Sequence, residues 1–191
     1  MKKTITILIL LLATNILFSQ KTVSKKELTI TFPSKVLIKG TSTLHNWEST
    51  VEKPSVTMVL NDVDDTKNIE SLNVSITSTN IKSGKRLMDK LTYEALKSDE
   101  YPHITFVFKK GKLIKENNSE VDIELNGNLT IAGVTKNVSV PTNINKKGTN
   151  IYLKGVYKLK MTDYGVTPPK ALFGTIKTGD EITIDFNLKL N

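Results

Sequence analysis

The chain contains no cysteine, and only one tryptophan, one arginine and two histidines occur among its 191 residues. Without cysteine there is no disulfide, so the hydrophobic core alone must hold the fold, and attachment of lipid to a processed cysteine is excluded. The histidines His45 and His103 lie too far apart to place two metal ligands on one face of an element. No Gly-x-Ser-x-Gly motif occurs either. We therefore expect neither an enzyme nor a metal cofactor.

Arginine is scarce, yet the chain is basic, with a formal net charge of +8 that comes almost entirely from lysine. Nucleic-acid sites favour arginine forks and basic clusters interleaved with aromatic side chains. These lysines are instead scattered over outward strand positions and turns, so no nucleic-acid partner is predicted. The main interpretation is a solvated surface whose lysines discourage edge pairing. The alternative is attraction to a pyrophosphate head group or transient contact with an anionic membrane surface.

Long apolar runs are absent except near the amino terminus. There, Lys2 and Lys3 precede an apolar stretch at residues 5–12, and a small residue, Ser19, follows after a short polar interruption. This order is typical of a secretory signal peptide, and the stretch is shorter than the roughly 18–20 residues that span a bilayer. An uncleaved anchor or a buried helix is the alternative. The pattern predicts a cleaved signal peptide at 1–19 and a soluble periplasmic domain at 20–191.

Alternation of apolar and polar residues dominates the rest of the chain. It is clearest at 72–77, 121–131, 151–161 and 182–190, and shorter candidates are 28–32, 36–52, 56–60, 104–108 and 136–142. Strands with one dry and one wet face are typical of antiparallel sheets. Eight or nine of them form a sandwich or an up-and-down barrel. Because several strands are long and one-faced throughout, we expect an all-β domain that is a single closed barrel.

Turns and one helix interrupt the alternation. Glycine-containing turns are predicted at 109–112, 132–134, 147–149 and 178–180. Between residues 85 and 97, apolar residues at i, i+3 and i+7 predict a short amphipathic helix. Ser83 is the expected cap of its first turn, and Pro102 prevents the helix from extending past residue 101.

One segment could contact a ligand. Residues 41–47 read as the continuation of a strand begun at residue 36, which would place His45 and Trp47 on one face. An indole beside an imidazole offers a large apolar surface with one polar point. The alternative is a core tryptophan packed at the closed end of the barrel, with His45 bonded to a backbone carbonyl. The sequence leaves both open.

Five segments resemble signatures of the YceI family. They are Gly-Thr-Ser-Thr-Leu-His-Asn-Trp-Glu (40–48), Tyr-Pro-His-Ile-Thr-Phe (101–106), Gly-Asn-Leu-Thr-Ile-Ala-Gly-Val-Thr-Lys (127–136), Met-Thr-Asp-Tyr-Gly (161–165) and Gly-Asp-Glu-Ile-Thr-Ile (179–184). The resemblance implies an eight-stranded, lipocalin-like periplasmic barrel with one helix. It also implies an enclosed polyisoprenoid or similar amphiphile and, in some members, a homodimer. Many members have a basic residue where this chain has Met161, which favours a less charged lipid or a different head group here.

These inferences combine into a binding hypothesis in which an isoprenoid-like lipid is the bound ligand and there is no other cofactor. Two polar contacts at a tunnel end are assigned to His45 and Tyr164. The expected apolar lining of the lumen is Trp47, Met88, Leu91, Phe106, Phe108, Leu125, Leu129, Met161 and Phe173. The alternative is a non-catalytic, stress-related protein whose barrel is filled by side chains and which acts by binding a partner.

Overall fold

The computed structural model describes residues 25–117 and 120–191. The predicted signal peptide, residues 1–19, lies outside the described residues. The described strands are β1 (Lys26–Ser42), β2 (Trp47–Val51), β3 (Ser55–Leu60), β4 (Ile69–Thr77), β5 (Ile81–Lys82), β6 (His103–Glu116), β7 (Glu120–Ile131), β8 (Val134–Lys147), β9 (Asn150–Lys160), β10 (Lys170–Ala171) and β11 (Ile176–Leu190). The helix α1 spans Arg86–Leu96, and short 3₁₀ turns occupy Ser78–Asn80, Met161–Tyr164 and Leu172–Gly174.

Eight strands close into an antiparallel barrel, in the order β1, β3, β4, β6, β7, β8, β9 and β11. The ring closes where β11 pairs with β1, in a register that runs from Ile30 opposite Leu190 to Ser42 opposite Thr178. The first part of β1 pairs with β3 and its last part with β2, while β5 and β10 add short edges to β2 and β11. The prediction of a closed barrel is confirmed, and the sandwich is not formed.

The two ends of the barrel are built differently. At one end, called the closed end, lie the loops at 61–68 and 148–149 and the start of β1. The interior of this half is solid, because its inward side chains are almost completely buried. The most deeply buried of them are Leu28, Met58, Leu60, Ile144, Ile151, Leu153 and Leu190. The opposite end, called the open end, carries α1, the turn at 43–46 and the segment between β9 and β11.

Helix α1 lies between β5 and β6, and its bounds agree with the predicted helix between residues 85 and 97, but its first turn is not capped as predicted. Lys85, not Ser83, is the residue that precedes the first turn. The Ser83 hydroxyl instead donates to Asp89 Oδ1 at 2.6 Å, and the Ser83 N–H donates to the same oxygen at 2.7 Å. The helix ends because Lys97 adopts a left-handed conformation, five residues before Pro102. Among the described residues, no helix is long and apolar enough to cross a membrane.

Two predicted turns are wrong, because glycine inside a strand resembles glycine in a turn. Residues 109–112 lie within β6, which bulges between Phe108 and Lys110 where it pairs with β7. A side chain at Gly111 would come within 2.6 Å of Ile123, so glycine serves close strand packing there. Residues 178–180 lie within β11. The turns at 132–134 and 147–149 are confirmed as the hairpins between β7 and β8 and between β8 and β9.

Two phenylalanine rings lie over glycines on neighbouring strands. A Cβ added to Gly127 would lie 2.6 Å from the Phe106 ring, and one added to Gly155 would lie 2.5 Å from the Phe186 ring. The two phenylalanines lie on β6 and β11, and these strands are on opposite sides of the barrel. Each glycine therefore leaves the space into which an aromatic ring packs, and both rings belong to the packed interior.

Replacing Gly155 by alanine tests this packing. The new methyl group would lie 2.4 Å from the backbone oxygen of Pro141, which cannot move aside as a flexible side chain can. We expect the free energy of unfolding to fall by about 1–3 kcal/mol, measured by urea denaturation. The control is Ser139→Ala at an exposed strand position, which should change stability by less than about 0.5 kcal/mol. Equal stability of the two variants would contradict the packing argument.

Candidate functional site

An apolar cavity of about 400 Å³ lies between α1 and the open half of the barrel. Its walls come from elements that are distant in the sequence. Among the strand residues that line it are Val36, Ile38, Ile76, Ile104, Ile131, Leu159, Ile182 and Ile184. These are inward positions of the alternating pattern, so the periodicity that builds the barrel also makes the wall of the cavity apolar.

Helix α1 closes the cavity on one side with Met88, Leu91 and Ala95. These residues form the predicted apolar face, yet none of the residues of α1 is fully buried. Ala95 and Leu96 pack partly against the core, whereas Met88 and Leu91 border the empty space. The hydroxyl of Tyr93 donates to Thr79 O at 2.9 Å and accepts a hydrogen bond from the Lys82 ammonium at 2.7 Å, which fixes the helix against the 3₁₀ turn and β5.

The segment expected to continue β1 as a strand is a turn. β1 ends at Ser42, whose hydroxyl accepts hydrogen bonds from the backbone N–H groups of Leu44 and His45, both at 3.3 Å. The Ser42 N–H donates to His45 O at 3.0 Å, and β2 begins at Trp47. The prediction that His45 and Trp47 share one face of one strand is therefore wrong. A serine that bonds the backbone two and three residues onward stabilises a turn and ends the strand.

Both residues nevertheless border the cavity. The Trp47 indole lies against Gly40, where a Cβ would come within 2.3 Å of the ring, and its Nε1–H donates to Thr41 O at 3.0 Å. Trp47 is half-buried at the open end, not packed at the closed end. His45 is exposed, and its Nδ1 lies 2.9 Å from the backbone oxygen of Asn46. The carbonyl contact of the alternative interpretation is thus present, but at the mouth of a cavity.

Tyr164 is the most buried polar residue of the cavity wall, with 2% of its surface exposed. Its hydroxyl makes no hydrogen bond to any residue in the described part of the chain. Burial, with smaller contributions from Tyr157 and Asp163, raises the pKa of Tyr164 to about 12, so the phenol stays neutral at physiological pH. The Lys136 ammonium lies 5.9 Å from the ring centroid. Tyr164 can therefore offer a neutral hydrogen-bonding group to a molecule in the cavity.

Charge in the cavity is of one sign. Lys85 and Lys170 are the residues with a permanent charge among those that line it, and no described lining residue is a carboxylate. Neither lysine forms an ion pair within residues 25–117 and 120–191. In the same part of the chain, no three histidine, aspartate or glutamate side chains come together as metal ligands. The site can thus hold an apolar chain, with a hydroxyl and two ammonium groups for a polar end.

The eleven residues predicted to bind the ligand fall into three places. Those that border the cavity are His45, Trp47, Met88, Leu91, Met161 and Tyr164. Phe106, Leu125 and Leu129 are buried in the packed interior, and Phe108 packs against it, so these four fill the barrel and do not line the space. Phe173 was expected in the lumen, but its side chain is fully exposed, in the 3₁₀ turn Leu172–Gly174 where its φ is 54°.

Sequence reasoning missed several wall residues. Ile182 and Ile184 were recognised as inward strand positions, but nothing local shows which inward positions border space and which are packed. Leu44 and Leu172 lie in turns, and an apolar residue in a turn was the signal that could have found them. For Lys170 the sequence offers no signal.

Comparison with known proteins identifies the domain. The family model of the YceI-like domain matches residues 22–190. The chain belongs to the YceI-like family. The prediction made from the five sequence segments is thus confirmed, and the match covers the barrel from β1 to β11. No curated protein matches the sequence at a significant level.

Solved structures share the fold of this YceI-like protein. Burkholderia cenocepacia BcnA has a TM-score of 0.67 at 22% identity, covering 82% of this chain and 95% of that one. A polyisoprenoid binding domain from Saccharophagus degradans, implicated in plant cell wall breakdown, has a TM-score of 0.63 at 11% identity and covers 88% and 99%. The Campylobacter jejuni YCEI protein has a TM-score of 0.57 at 21% identity and covers 74% and 82%. At these identities the similarity establishes the fold.

Proposed function

We propose that this protein binds an amphiphilic lipid with a polyisoprenoid-like chain in the cavity under α1, and that it carries or sequesters that lipid without catalysing a reaction. The observation on which this rests is an apolar space of about 400 Å³ that is walled by inward strand residues and by one face of a helix. Ligand sites in proteins have about 300–1,000 Å³ and are mostly apolar with few polar groups. Burial of an apolar chain there contributes about 25 cal/mol per Å².

The similarity to a polyisoprenoid binding domain supports a polyisoprenoid-like hydrocarbon chain in the ligand, since that protein has the same barrel. The nature of the head group follows from the charges. Lys85 and Lys170 favour a neutral or anionic group over a cationic one. The Tyr164 hydroxyl would donate to an oxygen of the ligand. Met161 also borders the cavity, as an uncharged residue where many family members carry a basic one, so the lysines would take the place of that base.

The alternative function, a filled barrel that acts through a partner, has less support. Side chains fill the closed half, and Phe106, Leu125 and Leu129 are buried in the packed interior. The open half is not filled, and Met88 and Leu91 on the apolar face of α1 border the empty space. A helix whose apolar face borders a space is better explained by a bound molecule that covers that face.

Filling the cavity tests the proposed binding. Ala95 faces the space from α1, so Ala95→Phe should occupy part of it and weaken the binding of farnesol at least tenfold. Trp47 is the sole tryptophan and borders the cavity, so its emission reports occupancy directly. The matched control is Glu94→Phe, which adds the same ring at the neighbouring exposed position and should leave binding unchanged. Equal affinities of both variants would refute this site.

The closed half limits the length of chain that the barrel can hold. At about 30 Å³ per water-sized group, the cavity takes roughly 13 groups, which corresponds to between two and three isoprene units. The dissociation constant should fall about tenfold or more from geraniol to farnesol, and by less than about threefold from farnesol to geranylgeraniol. Titration of Trp47 emission measures all three. A steady gain through the longest alcohol would mean that the closed half opens.

Export to the periplasm is also proposed, on the basis of the basic and apolar segments at residues 1–19. The protein recovered from a periplasmic extract of the source cells should begin at Gln20 when its amino terminus is sequenced. Recovery with the cytoplasmic fraction, or with Met1 intact, would contradict the proposal.

A further inference from the structure

Four large apolar side chains project into solvent around the mouth of the cavity. Leu44 is 68% exposed, Leu87 is 61% exposed and Leu172 is 64% exposed, yet all three also line the cavity. A residue that is both lining and exposed lies at the opening. Phe173 follows Leu172 and is fully exposed. These four residues are called the rim.

The rim is built from three separate elements. Leu44 lies in the turn between β1 and β2, Leu87 lies in the first turn of α1, and Leu172 and Phe173 lie in the 3₁₀ turn after β10. An apolar residue that is exposed singly needs no explanation, but a group around one opening marks an interaction surface.

The backbone at Leu172 and Phe173 adds an independent observation. Both residues have positive φ angles, 49° and 54°. This conformation is unfavourable for bulky residues, and two in succession are rare. Such strain persists only where the surrounding structure imposes it, and it is concentrated at functional sites. Here it occurs at two large apolar residues whose side chains are exposed beside the cavity mouth.

Positive charge accompanies the rim. Lys85 and Lys170 line the mouth, and Lys177 is the cross-strand neighbour of Lys170 in the hairpin of β10 and β11. None of the three lysines has a carboxylate partner in the described part of the chain. Apolar side chains surrounded by unpaired ammonium groups match the interface of an anionic bilayer, where the rings enter the acyl boundary and the cations meet the phosphates.

We propose that the rim docks on the surface of an anionic phospholipid bilayer and so places the cavity mouth against the lipid. The inference deepens the proposed function, on which its purpose rests, because a lipid could then enter the cavity without crossing water. A second copy of the chain is a poorer occupant of the rim, since a two-fold contact would bring Lys85, Lys170 and Lys177 of both copies together.

Sedimentation with vesicles tests the docking. The wild-type protein should bind vesicles of phosphatidylcholine mixed with phosphatidylglycerol, and bind much less to phosphatidylcholine alone. Raising the ionic strength from about 0.1 M to about 1 M should weaken binding, because the Debye length falls from about 10 Å to about 3 Å. Phe173→Ser should lower the partition coefficient about tenfold. The control Val156→Ser removes an exposed apolar side chain of β9 that does not belong to the rim and should have no effect.

The outcomes separate this inference from the proposed function. Equal binding of Phe173→Ser and Val156→Ser, or no binding of the wild type to anionic vesicles, overturns the docking. A dimer in sedimentation velocity that Phe173→Ser dissociates would assign the rim to a second copy and also overturns it. Farnesol titration of Trp47 in the same variants reports the cavity alone. Loss of vesicle binding with unchanged farnesol affinity supports the docking, and failure of farnesol to bind at all would count against the proposed function only.

Discussion

The pairing of β1 with β11 is the constraint on which the rest of this structure depends. It joins the first and last strands of the domain from Ile30 and Leu190 to Ser42 and Thr178, and it removes the two free edges that an open sheet of these strands would have. No disulfide is available to replace it. Only when the ring is closed do the inward residues of all eight strands face one interior, where some can pack and others can surround a space.

That interior is divided along its length. In the closed half, leucine, isoleucine and methionine side chains pack to near-zero exposure. Nearer the middle of the barrel, phenylalanine rings use the space left by Gly127 and Gly155. In the open half the barrel-strand residues that border the cavity are mostly isoleucines. Helix α1 covers that half without filling it. The packed interior and the cavity thus occupy different parts of one barrel.

Periodicity predicted much of the fold and less of the site. Alternation located the strands because a sheet with one dry face requires it, and the spacing of Met88, Leu91 and Ala95 located α1. Prediction from local sequence was wrong where other contacts determine the structure. Gly111 packs against Ile123 inside a strand, and Ser42 ends β1 by accepting hydrogen bonds from the backbone of the residues that follow. The sequence also could not distinguish Phe106, which is packed, from Ile104, which borders the cavity. That difference depends on distance from α1 and not on any local pattern.

The pairing of the start of β1 with the end of β11 at the closed end has a practical consequence. Thr29 and Asn191 exchange two backbone hydrogen bonds, each of 3.1 Å, at the pole of the barrel opposite the mouth. A tag, a surface tether or a fused partner attached after Asn191 would therefore extend away from the opening. A short linker from Asn191 back to Lys25 would need to cross only the width of neighbouring strands, which makes the barrel a candidate for circular permutation.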